Sequence, residues 1–283
     1  MTKDNRLVSV GLPTHNREFY LRRAIESVLS QTYGNFEFII SDNASIDGTK
    51  ALCEEYLKKD ARIKYVLQRE NIGFYENFNF VFASARGGFF GLLGDDDLWM
   101  PTFLERCVEK LEKNPRAVVA STNFSFMHYE DGHKTRHDPR YYLVLEDDLY
   151  SRMRHFVLLD MADGKGGPQF IGLWKREMIK DLRVKEEAAG DVNFVLRAIS
   201  RGACEYVDEE LLLKGILPGR KPPRDITISR IIRSFVRRVK RIRPELSNCW
   251  FLLRGPKLPF AKRLWLAILN FYVLGRVFVR RKM

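Results

Sequence analysis

Short apolar runs alternate with amphipathic stretches over residues 1–125. Leu7–Leu12 (L-V-S-V-G-L) reads as a buried strand ended by Pro13. Leu21, Ile25, Val28 and Leu29 then share one face of a helical pattern that Gly34 stops. Phe36–Ser41 is a second strand, Asp42–Gly48 a loop, Thr49–Leu57 a helix and Ile63–Leu67 a third strand. Phe74–Ala85 is a helix with Phe78, Val81 and Phe82 on one face, and the run from Phe89 to Leu93 is too short for anything but a strand. Pro101 suits the first turn of a helix over Thr102–Lys113. This order implies right-handed parallel crossovers, hence an α/β fold with a mostly parallel sheet and helices on both faces. Beyond it, Val118–Phe126 is a strand, Tyr129–Gly132 a turn and Tyr141–Leu145 the returning partner. Asp147–Leu159 is helical, Gly164–Gly167 a loop, and Phe170–Trp174 runs into a short helix. Asp191 starts a helix containing Phe194, Val195, Ala198 and Ile199, which Gly202 stops.

Ligands of such sheets bind beyond the carboxyl ends of the strands. Four segments leave those ends: Pro13-Thr14-His15-Asn16, Asp42-Asn43-Ala44-Ser45, Gln68–Gly73 and Asp95-Asp96-Asp97. All are rich in polar residues and share one rim. The three adjacent carboxylates repel one another unless a cation or solvent relieves them, and hard divalent cations such as Mg2+ or Mn2+ favour oxygen ligands. An acidic turn complementing a helix dipole is the plainer alternative. Asp42 and Asn43 suit an Asx turn, or a carboxylate that accepts from a uracil imide or ribose hydroxyls. His15 is a loop histidine at the edge of the same site. Asp191 is an N-cap or an acid facing the rim.

Charge divides the chain. Residues 216–283 hold 18 Lys or Arg against Asp225 and Glu245, a net of +16, leaving 30 basic and 34 acidic residues, a net of −4, for residues 1–215. Such asymmetry points to an anionic membrane surface or nucleic acid. Pro222-Pro223 marks a boundary, and from Ile226 the residues Ile228, Ile231, Ile232, Phe235, Val239 and Ile242 fall on one helical face among arginines and lysines. A basic amphipathic helix of this kind lies in a membrane interface or packs on the body with its cations solvated. Leu264–Val279 is apolar but holds 16 residues, short of the roughly 20 that span a bilayer, so monotopic insertion is expected. The expected division is therefore 1–220 as the α/β domain and 221–283 as a basic helical appendage, with 226–283 on an anionic membrane. Cys53, Cys107, Cys204 and Cys249 have no metal-ligand spacing, and Met1–Arg6 has no signal-peptide run, so a cytoplasmic protein on the cytoplasmic membrane face is the default.

Five motifs in order then resemble an inverting family 2 glycosyltransferase of the GT-A (Rossmann-like) fold, over about residues 6–215. V-S-V-G-L-P-T-H-N-R is similar to the family's opening strand and loop, where Tyr or Phe more often stands at His15. A-I-E-S-V-L-S-Q-T-Y-G-N-F-E-F-I-I-S-D-N-A-S-I-D-G-T resembles the next helix, strand and nucleotide loop; R-E-N-I-G-F-Y-E-N-F-N resembles the third loop, and G-D-D-D-L-W-M-P the metal motif. The pair Gly190-Asp191 stands where the family has Glu-Asp. The resemblance assigns Pro13, Thr14, Asp42 and Asn71 to the nucleoside. Gly94 takes the first D-x-D position, Asp95 the ribose or diphosphate side, Asp96 the metal (Mn2+ or Mg2+) with Asp97 as its supporting acid, and Asp191 the catalytic base. Many relatives carry a His after the last strand; here L-L-L-K-G-I-L-P-G-R-K has none, leaving Lys214, Arg220 or Lys221 to meet the diphosphate.

The resemblance implies transfer of a sugar from a nucleotide-diphosphate donor, UDP or dTDP favoured, to a hydroxyl of a lipid-linked or surface glycan with inversion. Nucleotidyl transfer is the rival enzyme class, expected to show a second acidic cluster beside the first. A nucleic-acid binder using the tail is the other rival, but the tail has no nucleic-acid motif and few aromatics among its first cations, so no nucleic-acid partner is expected.

Overall fold

The computed structural model describes residues 6–136, 144–163, 168–185 and 190–219, together with residues 259 and 262. The chain begins with β1 (Val8–Thr14), α1 (Glu18–Leu29), β2 (Phe36–Asp42), α2 (Thr49–Leu57), β3 (Ile63–Leu67), α3 (Phe74–Ser84) and β4 (Phe89–Leu92). These strands pair in parallel, in the order β3-β2-β1-β4. Next come the two-residue β5 (Leu98–Trp99), α4 (Phe103–Lys113), β6 (Ala117–His128) and β7 (Lys134–Arg136). The last elements are α5 (Leu149–Asp163), a 3-10 turn (Pro168–Ile171), β8 (Leu173–Lys175), α6 (Arg176–Ile179), α7 (Gly190–Ile199) and β9 (Ala203–Ile216).

The complete order is β3-β2-β1-β4-β8-β6-β9-β5, with β7 paired to β6. β6 and β9 continue the direction of the first four strands, whereas the short β5, β7 and β8 run against their neighbours. The sheet is thus mostly parallel. Alternate side chains leave opposite faces: Phe38 and Ile40 of β2 join α1, α2 and α4 in one core, and Ile39 joins α3, α5 and α7 in the other. Both faces are therefore covered, each large apolar side chain contributing about 1.5–3 kcal/mol on burial. Cys53, Cys107 and Cys204 are buried, and burial raises their thiols, Cys53 and Cys204 to about 12. They act as small core hydrophobes, and Cys249 lies outside the described residues.

One expectation changes. Pro13 does not end β1, which runs on to Thr14. The Gly11 carbonyl faces β4, accepting from Leu93 N–H, so Pro13 turns to the same side, where the β4 ladder has already stopped at Gly11–Leu92 and no donor is needed. β6 is also joined by a strand the sequence pattern did not imply, Lys134–Arg136, which returns against it. Gly132, at φ 72°, lets the chain reverse at once, with Gly132 N–H bonded to the His128 carbonyl. Residues 141–143 lie outside the described residues, as do the Gly164–Gly167 loop and the appendage from 226 apart from Pro259 and Lys262.

Candidate active site

Three strand-end loops are tied together by asparagines. Asn16 and Ala44 both adopt positive φ, 53° and 58°, turning the chain sharply out of β1 and β2. Asn16 N–H donates to Ser45 Oγ at 2.9 Å, and Ile46 N–H to Asn16 Oδ1 at 2.8 Å. Asn43 Nδ2 donates to Asn71 Oδ1 at 2.7 Å, while Asn43 Oδ1 accepts from Ile72 N–H at 2.8 Å. His15 Nε2 lies 3.2 Å from both Asn16 Nδ2 and Asn71 Nδ2. Facing two amide donors, Nε2 accepts, which places the imidazole proton on Nδ1. That Nδ1 is buried without a hydrogen-bond partner among the described residues.

Asp42 lies beneath this surface, fully buried. Its Oδ1 accepts from Ser45 N–H and its Oδ2 from the Tyr65 hydroxyl, each at 2.9 Å. Burial and the Asp42 hydrogen bond raise the Tyr65 phenol, so it stays a donor. Asp42 thus shapes the second loop.

The acidic loop follows β4 at the same rim. Thr14 Oγ1 donates to Asp95 Oδ2 at 2.9 Å, and Arg17 Nε stands 3.6 Å from Asp95 Oδ1. Burial, then the Asp96 charge, push the Asp95 carboxyl up to about 7 against the pull of Thr14 and Arg17. Asp96 is raised by burial and by Asp97, with Lys214 opposing. Asp97 Oδ1 accepts from Gly215 N–H at 3.0 Å. Gly94, at the position of the family's first acid, explains the departure there. A Cβ on it would lie 2.8 Å from Asp97 Oδ2 and 3.3 Å from Asp96 Oδ1. Two carboxylate oxygens thus converge over one bare Cα, an arrangement that a divalent cation relieves. No group of three or more His, Cys, Asp or Glu stands ready to hold a metal among the described residues. The acids fit a cation whose remaining positions are filled by donor phosphate oxygens and water. Trp99 of the motif belongs to the core, stacked on Phe103 at 4.3 Å.

Asp191 lies in the first turn of α7, half-buried. Gly190 beside it packs against Tyr75, in the first turn of α3 and just beyond the third rim loop. Phe194 of α7 meets Phe78 of α3 at 5.8 Å. Asn79 also bonds both polar groups of the Val184 backbone, at 2.8 and 3.0 Å. Packing of α7 on α3 therefore sets the first turn of α7, which carries Asp191, beside the first turn of α3, which follows the third rim loop. Pro13, Thr14, Asn71 and the acidic loop share that rim. Arg17 was given no role by the sequence; Asn16 lay in the polar segment after β1, and the tolerance of Asn for positive φ was the available signal for its turn.

The sequence pattern of "Glycosyl transferase family 2" matches residues 9–168. An uncharacterized glycosyltransferase, MJ1057, of Methanocaldococcus jannaschii is 30% identical over 222 residues, 77% of this chain and 73% of that protein. The UDP-Glc:alpha-D-GlcNAc-diphosphoundecaprenol beta-1,3-glucosyltransferase WfgD of Escherichia coli is 34% identical over 125 residues, 44% of this chain and 46% of WfgD. Among other curated relatives the chain spans from 20% to 50% of their length. Among solved structures, Staphylococcus aureus TarS 1-349 in complex with UDP-GlcNAc superposes with a TM-score of 0.69 at 17% identity, covering 94% of this chain and 72% of that one. The mannosyltransferase PcManGT of Pyrobaculum calidifontis, in complex with GDP-Man and Mn2+, gives 0.54 at 16% identity, covering 95% and 86%. The two structures share the GT-A fold with this chain. From its pattern over more than half its length, this chain belongs to glycosyl transferase family 2.

Proposed function

We propose that this glycosyltransferase moves a sugar from a UDP- or dTDP-sugar to a hydroxyl of a lipid-linked or surface glycan, by single displacement with inversion. The observation that carries the reading is the convergence of Asp96 and Asp97 oxygens over Gly94, beside the Thr14–Asp95 pair. Asp96, supported by Asp97, is assigned to hold Mn2+ or Mg2+. A divalent cation there would neutralise charge that grows on the diphosphate as its bond to the sugar breaks. Asp95 with Thr14 holds the ribose or diphosphate side, and Pro13, Asn71 and Asp42 frame the base. Lys214, whose charge already acts on Asp96, is the cation available to the diphosphate. Asp191 takes the proton of the attacking hydroxyl on the face opposite the leaving group, a role worth about 10²–10⁴-fold.

The donor class rests on UDP-GlcNAc in TarS and UDP-Glc in the name of WfgD, and the acceptor class on the diphosphoundecaprenol in that name. The charge split supports seating residues 226–283 on an anionic membrane at the cytoplasmic face, with no nucleic acid needed as partner. No described helix is long and apolar enough to cross a membrane.

A thermal-shift panel of UDP-, dTDP- and GDP-sugars, with and without Mn2+, tests the donor. Ligand that binds only the folded state at about 100 times its Kd adds about 2.7 kcal/mol. UDP- or dTDP-sugars should raise Tm most, and more with Mn2+. A shift confined to GDP-sugars would overturn the donor assignment.

A further inference from the structure

Residues far from the acidic loop in sequence hold the Asp96 peptide from two sides. The Tyr129 hydroxyl donates to the Asp96 carbonyl at 3.2 Å. Gly215 packs its bare Cα on the same carbonyl: a Cβ there would lie 2.1 Å from that oxygen and 2.9 Å from Tyr129 Cε2. Gly215 is not among the positive-φ glycines, so room alone, not conformation, calls for glycine. Its N–H is the donor to Asp97 Oδ1.

Tyr129 is itself fixed. Its N–H donates to the Ile216 carbonyl at 3.0 Å, Tyr20 meets its ring edge-on at 4.6 Å, and the Arg23 guanidinium lies over the ring at 5.3 Å. The β6–β7 hairpin and the end of β9 therefore meet on one peptide, with α1 packed on the tyrosine. β5 is already held by its own ladder, Leu98–Leu213 and Trp99–Leu212. The added contacts fall two residues before that strand, on the carbonyl of Asp96, the residue assigned to the cation. Divalent cations tolerate ligand displacements of only about 0.2 Å, and adjacent carboxylates push one another apart until the cation arrives.

We infer that Tyr129 and Gly215 are positioning residues that hold the Asp96 carboxylate in place for its divalent cation before the cation binds. The inference rests on the assignment of Asp96 to the metal. Neither residue touches the cation or the reacting atoms.

The test is Mn2+ titration of the full chain in the presence of UDP, read by electron paramagnetic resonance of free Mn2+. Tyr129→Phe keeps the ring between Tyr20 and Arg23 and removes only the hydroxyl. It should weaken Mn2+ binding about 10–100-fold, the usual cost of losing an outer-shell partner. UDP affinity in EDTA should stay unchanged, and transfer should recover at saturating Mn2+, so that the KM for Mn2+ moves and kcat does not. Gly215→Ala should lower Mn2+ affinity in the same direction by displacing the carbonyl, and it decides the matter if Tyr129→Phe fails to fold. Wild-type Mn2+ affinity in a folded variant overturns the inference, as does a parallel loss of UDP affinity in EDTA. Asp96→Ala separates the two ideas. If it loses Mn2+ while Tyr129→Phe does not, only the positioning role fails; if it binds Mn2+ normally, the metal assignment itself fails.

Discussion

Thr14 Oγ1 donates to Asp95 Oδ2 at 2.9 Å, joining the end of β1 to the acidic loop across 81 positions of sequence. A hydroxyl bonded to a carboxylate contributes about 1.5–3 kcal/mol. Thr14→Val keeps the shape and removes the donor. Affinity for UDP-sugar with Mn2+ should fall about tenfold by calorimetry, with Thr14→Ser close to wild type. An unchanged affinity in the valine variant would remove Thr14 from the donor site.

The acids also set a pH signature for the metal-free protein. The folded value of Asp95, about 7, and the raised value of Asp96 stand above the unfolded value of about 3.9. Their contribution to stability is complete below about pH 4 and is lost as pH rises through the folded values. Glu37 behaves in the opposite sense. Burial alone would raise it, but Lys64, Ser9 and Arg86 outweigh burial and hold it at about 2. Its contribution is present above about pH 4.5 and lost as pH falls toward 2. In EDTA, Tm should therefore climb as pH is lowered from 7.5 to about 5 and decline in stronger acid. Saturating Mn2+ should flatten the upper limb, and a flat upper limb in EDTA would contradict the burial of these carboxylates.

Asp191→Asn should bind donor as the wild type does and lose about 10²–10⁴-fold in transfer. Donor binding by calorimetry and product formation by chromatography separate the two effects. Near-wild-type turnover would sink the assignment of Asp191 as base.

Charge reversal in the full chain, Arg237→Glu with Arg238→Glu and Arg241→Glu, should abolish sedimentation with anionic liposomes while leaving Mn2+ and UDP binding intact. Each basic side chain near such a surface contributes about 1 kcal/mol, so three reversals exceed a hundredfold. Retained sedimentation would detach the appendage from any role at a membrane.

The parallel half of the sheet was legible because its strands are short, apolar and continuous. Thr49–Leu57 and Ile63–Leu67 appear in the structure with the bounds the sequence pattern implies. β9 was not legible as a 14-residue strand. Its register against β6 slips on either side of Asn123, and Asp208-Glu209-Glu210 at that irregularity break the alternation a strand is recognised by. β5 is two residues long and exists only because Leu212 and Leu213 of β9 arrive beside it. The site divides in the same way. Loop residues next to strand ends could be named from local chemistry, whereas Gly215 and Tyr129 meet Asp96 through pairings separated by tens of residues.

The last strand also sets a leash. Gly215 touches the Asp96 carbonyl, and Gly219 comes four residues later. Four residues span at most about 14 Å, even fully extended. Gly219, two residues before the expected appendage, thus lies within that distance of the acidic loop. If the appendage binds a membrane as proposed, that surface would be held near the rim at high effective concentration, favouring acceptors that stay on it over those that diffuse freely.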